Sequence, residues 1–441
     1  LFHSDKTKDN LVAAMPRYVY SWFYYSGLRA MPALDSIPYS REDEHFLWKV
    51  WYTVGTIFPK HHGAKKMITR KTFTSLLLLF VVLCATVYAQ TRTEVAFPDI
   101  NGYRTITADL HMHTVFSDGT VWPTVRVGEA WRNGLDVLSI TDHLEYLPHK
   151  DDVLPKFNRP YEIAKPEADK MGIMLIRGAE ITRDEPHGHF NAIFLSDCEP
   201  LNTPDQKDAV KAAQEQGAFI WWNHPEWKRD DGKAWCEIQQ EYLDLGWMHG
   251  LEVFNGGSYY VNAHQWALDH NLTLLGNTDI HAPIDEIYNY AEGEHRTMTL
   301  VFVKENTPEG LKEALFERRT VVFGSGKLVG REEWLRPLIE ASVKMETSDI
   351  TLRGKSPVVV SVFNACAAPL DLELADRPSG IAFPKSLLLP SGKSAQMRVQ
   401  GGGNAPAGTG PIEVSYAVKN ALLAPNTPLT IKLVFKVTFA Q

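Results

Sequence analysis

Cysteine is scarce, with four residues in a chain of 441. Cys84 lies in an apolar run, and Cys198, Cys236 and Cys366 form neither a close pair nor a Cys-x-x-Cys spacing. That excludes thiolate metal sites and leaves room for one disulfide at most, with none expected. An excess of basic residues is also absent. The formal net charge of -8 gives no support to a nucleic acid as a stable partner, which usually needs a basic surface. The apolar run Ser75 to Tyr88 falls short of the roughly 20 residues a membrane span requires. What is present is an ordinary globular composition, 44% hydrophobic and 22% charged. The length suits two domains, or one barrel with an appendage. Histidine (16) and tryptophan (12) exceed what a core needs, and the histidines fall in short clusters.

From Met67 the chain reads as a secretory signal: a basic start through Arg70 and Lys71, the apolar run, and small residues at Val87 and Ala89. Cleavage is expected after Ala89. Residues 1–66 are then expected to be an over-extended, non-native segment preceding the start at Met67, with a retained cytoplasmic extension as the alternative. Leu83 is too large for lipoprotein processing before Cys84, so no lipid anchor is expected. The mature protein is read as secreted or periplasmic, without a membrane span.

The barrel-like region, 90–330, alternates short apolar runs with helical stretches. Thr105 to Leu110 leads to His111 and His113, and Leu135 to Ile140 leads to Asp142 and His143. Ile173 to Ile176 leads to Glu180, and His189 opens the run to Leu195. Ala218 to Trp222 leads to His224, Leu251 to Phe254 to Asn255, and Leu272 to Leu275 to Asp279 and His281. Helices are expected at Pro123 to Asn133, Ala209 to Gln216 and Ala263 to Asn271. Seven strands with interposed helices describe a parallel βα arrangement. Ionisable residues gather at strand ends, where α/β barrels build their sites. His189, at a strand start, is the exception. In a strand, residues i and i+2 face one side, so His111 and His113 would point into one space.

The combination His111-x-His113 with Asp118, Asp142-His143, Glu180, His189, Asn223-His224-Pro225 and Asp279-Ile280-His281 resembles the PHP (polymerase and histidinol phosphatase) superfamily over roughly residues 104–330. The resemblance implies a distorted (β/α)7 barrel with a trinuclear metal centre. Its ligands would be His111, His113, Asp118, His143, Glu180, His189, His224, Asp279 and His281. His187 competes with His189, and the phase of the strand favours His189. Six imidazoles and three carboxylates without a thiolate suit Zn²⁺, Mn²⁺ or Fe²⁺. Three such ions would leave the ligand set at about +3, a site built to hold an anion.

The implied chemistry is phosphate-ester hydrolysis, most simply of a diester, by a metal-bridging hydroxide. Glu180 and Asp279 are candidates to bridge ions or orient that hydroxide. His224 and His281 are candidates to protonate the leaving group if free of metal. A phosphomonoesterase at the same centre is the first alternative. A non-catalytic, metal-stabilised barrel with a binding β-domain is the second. Export argues against cytosolic roles and favours a small-molecule phosphate ester as substrate.

Other residues carry weaker expectations. Trp221, Trp222 and Trp227 flank His224 and would either line the mouth or pack between strands and helices. Tyr259 and Tyr260 sit on a loop expected near the same mouth. Arg183, Arg296 and Arg319 are candidates to clamp phosphate oxygens, though each is more readily a structural or solvated residue. Asp142 is expected to support a ligand, and His61, His62 and His149 to be exposed. The barrel is expected to close with Thr297 to Val303, a helix Pro308 to Arg318 and Thr320 to Phe323. A helical connector follows (331–341). Beyond it, 342–441 shows short strands among Pro, Gly and Asn clusters, the pattern of a small β-sandwich. With no histidine there, it is expected to pack rather than catalyse.

Overall fold

The computed structural model describes residues 91–228, 231–402 and 408–440. The segments read as an over-extended start and a signal, with His61 and His62, lie outside them. No helix among the described residues is long and apolar enough to cross a membrane.

Seven strands form the barrel of the first domain: β1 (Arg104–Asp109), β2 (Val137–Ile140), β3 (Met174–Thr182), β4 (His189–Ile193), β5 (Phe219–Trp222), β6 (Gly250–Asn255), which folds back on the two-residue strand Ser258–Tyr259, and β7 (Thr273–Asn277). They pair in chain order. Helices α1 (Pro123–Arg132), α2 (Arg159–Met171), α3 (Gln206–Glu215), α4 (Glu237–Asp244) and α5 (Val261–Asp269) fill the crossovers. Their starts are set locally. Pro123 opens α1, where its missing N–H costs nothing, and the Asp205 carboxylate accepts from the Lys207 and Asp208 amides at the head of α3.

The barrel closes at one rim only. The His113 amide donates to the Ile280 carbonyl at 3.0 Å, and the Asp279 amide to the His111 carbonyl at 2.9 Å, joining the ends of β1 and β7. Lower down, β8 (Met298–Val303) takes the same edge of β1 as an antiparallel neighbour, and β9 (Thr320–Gly324) pairs with β8. Helix α6 (Pro308–Phe316) links them. Closure is therefore made by the segments that carry the candidate ligands, which is one source of the distortion.

Two expectations need correction. Strand β3 runs on to Thr182, so Glu180 stands inside a strand and not beyond one, because Gly178 to Thr182 finds a partner in β4. The arrangement is also not wholly parallel: β4 runs antiparallel to both β3 and β5. That reversal explains why His189 sits at a strand start, since the start of an antiparallel strand lies at the rim where its parallel neighbours end.

The hairpin from β9 to β10 (Lys327–Gly330) leads to α7 (Glu332–Ser342) and a second domain. Its strands are β11 (Val343–Met345), β12 (Asp349–Arg353), β13 (Pro357–Asn364), β14 (Leu370–Asp376), β15 (Ser386–Leu389), β16 (Ser394–Gly401), β17 (Gly408–Ala424) and β18 (Thr427–Ala440). One sheet runs β11-β13-β16 and ends on the short strand Ile381–Ala382, and the other runs β12-β18-β17-β14-β15. Strand β17 also pairs in parallel with β10, Leu328 opposite Ala421. The sandwich thus continues a sheet of the first domain, and its core merges with the apolar layer beneath α1 and α2. Cys198, Cys236 and Cys366 are all free thiols.

Candidate metal centre

The chain continues extended beyond β1, so Leu110 and Met112 turn into the surrounding core while His111 and His113 turn inward. Both histidines are fully buried. His111 Nε2 lies 3.0 Å from Glu180 Oε2 and 3.1 Å from Asp279 Oδ1. His113 Nε2 lies 3.2 and 2.9 Å from the same two oxygens.

Glu180 is the hub of the site. Its carboxylate also reaches His143 Nδ1 at 3.3 Å and His189 Nδ1 at 2.8 Å, with His224 Nε2 at 3.9 Å. Asp118 Oδ1 lies 3.1 Å from His281 Nε2, 3.6 Å from His143 Nε2 and 3.7 Å from His113 Nδ1. All nine candidate ligands therefore converge. His187, the competitor of His189, is exposed, and so is His149.

The donors group into three sets, each with its atoms within 4.8 Å of one another: His113, Asp118, His143 and His281; His111, His113, Glu180 and Asp279; and His143, Glu180 and His189. These are oxygen and nitrogen donors only, the chemistry of a borderline divalent ion. Asp118 Oδ1 is buried without a hydrogen-bond partner, an acceptor with lone pairs to spare. The residues fit a site for several metal ions. His281 Nδ1 lies 2.8 Å from the Asp279 carbonyl oxygen. A carbonyl only accepts, so the proton sits on Nδ1 and the Nε2 lone pair faces the site.

The electrostatics are those of mutual compensation. Burial works to raise the Glu180 and Asp279 pKa values, but the charges of the facing histidines, and hydrogen bonds from His111 and His113, hold both carboxyls well below the usual range. Burial disfavours the charged form of His113, yet hydrogen bonds to Asp279 and Glu180 pull it up to about 10. His143 goes the other way, to about 4, because burial outweighs its carboxylate neighbours. His224 (φ 27°) and Asp279 (φ 53°) both occupy the left-handed region, a cost that recurs where function dictates geometry. At Gly119 a Cβ would stand 2.6 Å from the His113 carbonyl carbon, so only glycine lets the Asp118 loop fold back on the ligand strand.

Residues beyond the nine hold these ligands in place. Glu252 on β6 is fully buried. Its Oε1 lies 2.8 Å from His111 Nδ1 and accepts from Asn277 Nδ2 at 2.9 Å, while its Oε2 accepts from the His224 amide and Asn255 Nδ2, both at 2.9 Å. A carboxylate behind a ligating histidine fixes its ring and raises its basicity. The sequence signal was a lone acid inside the apolar run Leu251 to Phe254. Arg126 on α1 is buried and donates to the carbonyls of His113, Ile280, His281 and Ala282 at 2.8–3.0 Å, clamping both ends of the closure. Nothing in the helical pattern marked it. Asp142 accepts from the Thr114 amide (2.6 Å) and the Ser117 hydroxyl (2.7 Å), pinning the loop that presents Asp118.

For several residues with two readings, geometry selects between them. Arg296 is buried against Asp109 at 2.5 Å, and Arg319 bonds the Phe302 carbonyl and Glu313, so neither reaches the mouth. Tyr260 is buried and the Tyr259 hydroxyl lies 2.7 Å from His264 Nδ1, so both belong to the packing around α5. Trp221 and Trp222 are core residues, whereas Trp227 is 60% exposed. Above the ligands opens a cavity of about 520 Å³, whose rim includes Tyr146, Arg183, Trp227 and Lys228.

Residues 343–434 match a family model described as an Ig-like domain, DUF5001. Among curated proteins none matches the chain. A crystal structure from Bacteroides vulgatus, of a two-domain protein containing a predicted PHP-like metal-dependent phosphoesterase, is 43% identical, with a TM-score of 0.74 over 79% of this chain and 100% of that one. Two more remote structures are a protein of Bifidobacterium adolescentis assigned as a metal-dependent phosphoesterase and an amidohydrolase from Chromobacterium violaceum. They are 16% and 18% identical, with TM-scores of 0.31 and 0.30, over 40% and 41% of this chain and 87% and 89% of theirs. With its donor sets at the rim of a distorted seven-stranded barrel and an Ig-like sandwich behind it, the chain belongs to the PHP-like metal-dependent phosphoesterases.

Proposed function

We propose that the protein is a secreted phosphodiesterase that works with three divalent ions, Zn²⁺, Mn²⁺ or Fe²⁺, on small phosphate esters outside the cytoplasm. One observation carries the reading: three donor sets share Glu180, His113 and His143 and lie at the floor of one open cavity. The signal-like stretch ending at Ala89 supports export. When bound, such ions neutralise phosphoryl oxygens and activate water.

The chain's own residues supply the rest. Glu180 and Asp279 stay ionised in the buried floor and set the spacing of the donors. Glu252 holds the His111 ring so that Nε2 faces the site. His224 Nε2 belongs to none of the three donor sets; burial lowers its pKa and keeps the ring neutral, and we assign it a hydrogen bond to the leaving oxygen. Of the rim cations, Arg183 is paired with Glu145, which leaves Lys228 to draw an anionic ester to the mouth.

The test is metal analysis of the purified protein, followed by a panel of phosphate mono- and diesters with each ion restored. About three ions per chain and faster diester turnover are expected. Absence of turnover on every ester overturns the enzyme reading, and a monoester preference overturns the diesterase assignment.

A further inference from the structure

The rim of the cavity carries two large aromatic side chains with no packing role that explains their place. Trp227 is 60% exposed and Tyr146 is 56% exposed, yet both line the same mouth. Single exposed aromatics are ordinary on a protein surface. Two over one ligand cluster are not explained that way.

Their positions relative to the ligands differ. The Trp227 ring centroid lies 5.4 Å from that of His224 and 6.1 Å from that of His189. The Tyr146 ring lies 6.0 Å from His143. His143 and His189 themselves stand 5.8 Å apart at right angles, both against Glu180. The aromatics therefore flank the Glu180 end of the cluster from two sides, Trp227 on the side of β5 and Tyr146 on the loop after β2. Each sits on a positioned segment. The Trp227 amide donates to the His224 carbonyl at 3.0 Å, and the neighbouring Glu226 carboxylate caps α5 through the Asn262 and Ala263 amides at 2.9 and 3.1 Å. Beside Tyr146, Glu145 is tied to the Thr182 amide at 2.9 Å and to Arg183. Lys228 Nζ rests 4.7 Å from the Trp227 ring centroid and helps fix the indole.

A phosphodiester has two organic arms, and a monoester has one. We propose, resting on the phosphodiesterase reading above, that the substrate is a diester with a planar aromatic or heterocyclic group on each arm. One ring stacks on Trp227 and the other on Tyr146 while the phosphate lies over the ligands between them. The hydrolysis itself is balanced as for any diester: water adds its oxygen to phosphorus, one P–O ester bond breaks, and the leaving oxygen takes a proton.

The experiment compares kcat/KM for bis(p-nitrophenyl) phosphate and methyl p-nitrophenyl phosphate in the metal-loaded wild type and in Trp227→Ala and Tyr146→Ala. Both esters release the same phenolate, and variant-to-wild-type ratios cancel intrinsic reactivity. The wild type should favour the two-ring ester; loss of the platform under the leaving arm should slow both esters alike, and loss of the one under the retained arm should shrink that preference about tenfold, the size of one aromatic stacking contact. Trp227→Phe and Tyr146→Phe should keep most of it, and metal content should match wild type in all four variants. A wild type indifferent to the second ring, or an alanine variant that keeps wild-type rates on both esters, overturns the two-platform assignment. Failure of the loaded wild type on every ester overturns the phosphoesterase reading instead.

Discussion

The two domains use β-strands in opposite ways. In β18 the residues from Leu429 to Val437 alternate strictly between buried and exposed, as a sandwich facing water on one side requires. In the barrel, β2, β5 and β8 are buried at every position. The interiors differ as well. Among the described residues the sandwich core holds no buried charged side chain, whereas the barrel buries His111, His113, Glu180 and Glu252 together. A sandwich spends its interior on apolar contact, while the barrel gives the upper part of its interior to charges that stabilise one another only as a set. One region should tolerate losing chemistry but not volume, and the other the reverse.

The largest effect should come from the hub of the polar interior. Glu180→Gln keeps shape and removes the charge shared by two donor sets. Activity should fall by about a thousandfold, beyond the 10–100-fold that outer partners are worth, with metal content falling and far-ultraviolet dichroism unchanged. Full metal and activity in this variant would place the centre elsewhere. The mirror experiment is Phe435→Ala, at a fully buried sandwich ring 5.8 Å from Phe383. Denaturant unfolding should show a loss of about 3–5 kcal/mol, while ions per folded molecule stay as in wild type. Metal loss from the folded variant would mean that the sandwich supports the site.

Glu252→Gln sharpens the comparison at the boundary between ligand and scaffold. Metal affinity should drop about 10–100-fold, read by competition with a chelator. The smallest effect concerns a buried titratable group outside the centre. Burial pushes His264 down to about 4, with the charge of Arg331 adding to it. The folded protein keeps it neutral where the unfolded chain would protonate it near 6.5, so its contribution is full above that pH and is lost as pH falls toward about 4. His264→Gln should reduce the stability difference between pH 7 and pH 5.5 by about 1 kcal/mol, measured on metal-free protein. An unchanged difference would show that His264 is solvated.

Much of the barrel was legible because its signals are local. Apolar runs bounded by ionisable residues located the strands within a few positions, and Pro123 marked a helix start. The nine candidate ligands came from motif order along the chain. Direction was not legible: the run opening at His189 reads the same whether β4 is parallel or antiparallel, since a side chain's alternation carries no strand polarity. Nor were Arg126, Glu252 and the 28-residue reach from Asp142 back to Thr114, because single charges in apolar surroundings have no sequence period. Arg296 and Arg319 show the converse, cations that composition offered to a phosphate and that folding buried as struts.

By itself, the sequence determined which side chains could bind metal, since donor chemistry is a property of residue type, and it set the spacing that turns His111 and His113 to one side. Tertiary structure decided the rest. It closed the barrel through the backbones of His111, His113, Asp279 and Ile280, reversed β4 so that His189 faces its partners, and put Glu180 at the centre. Those outcomes depend on hydrogen bonds between segments up to 169 residues apart, and only the folded chain brings such segments within reach.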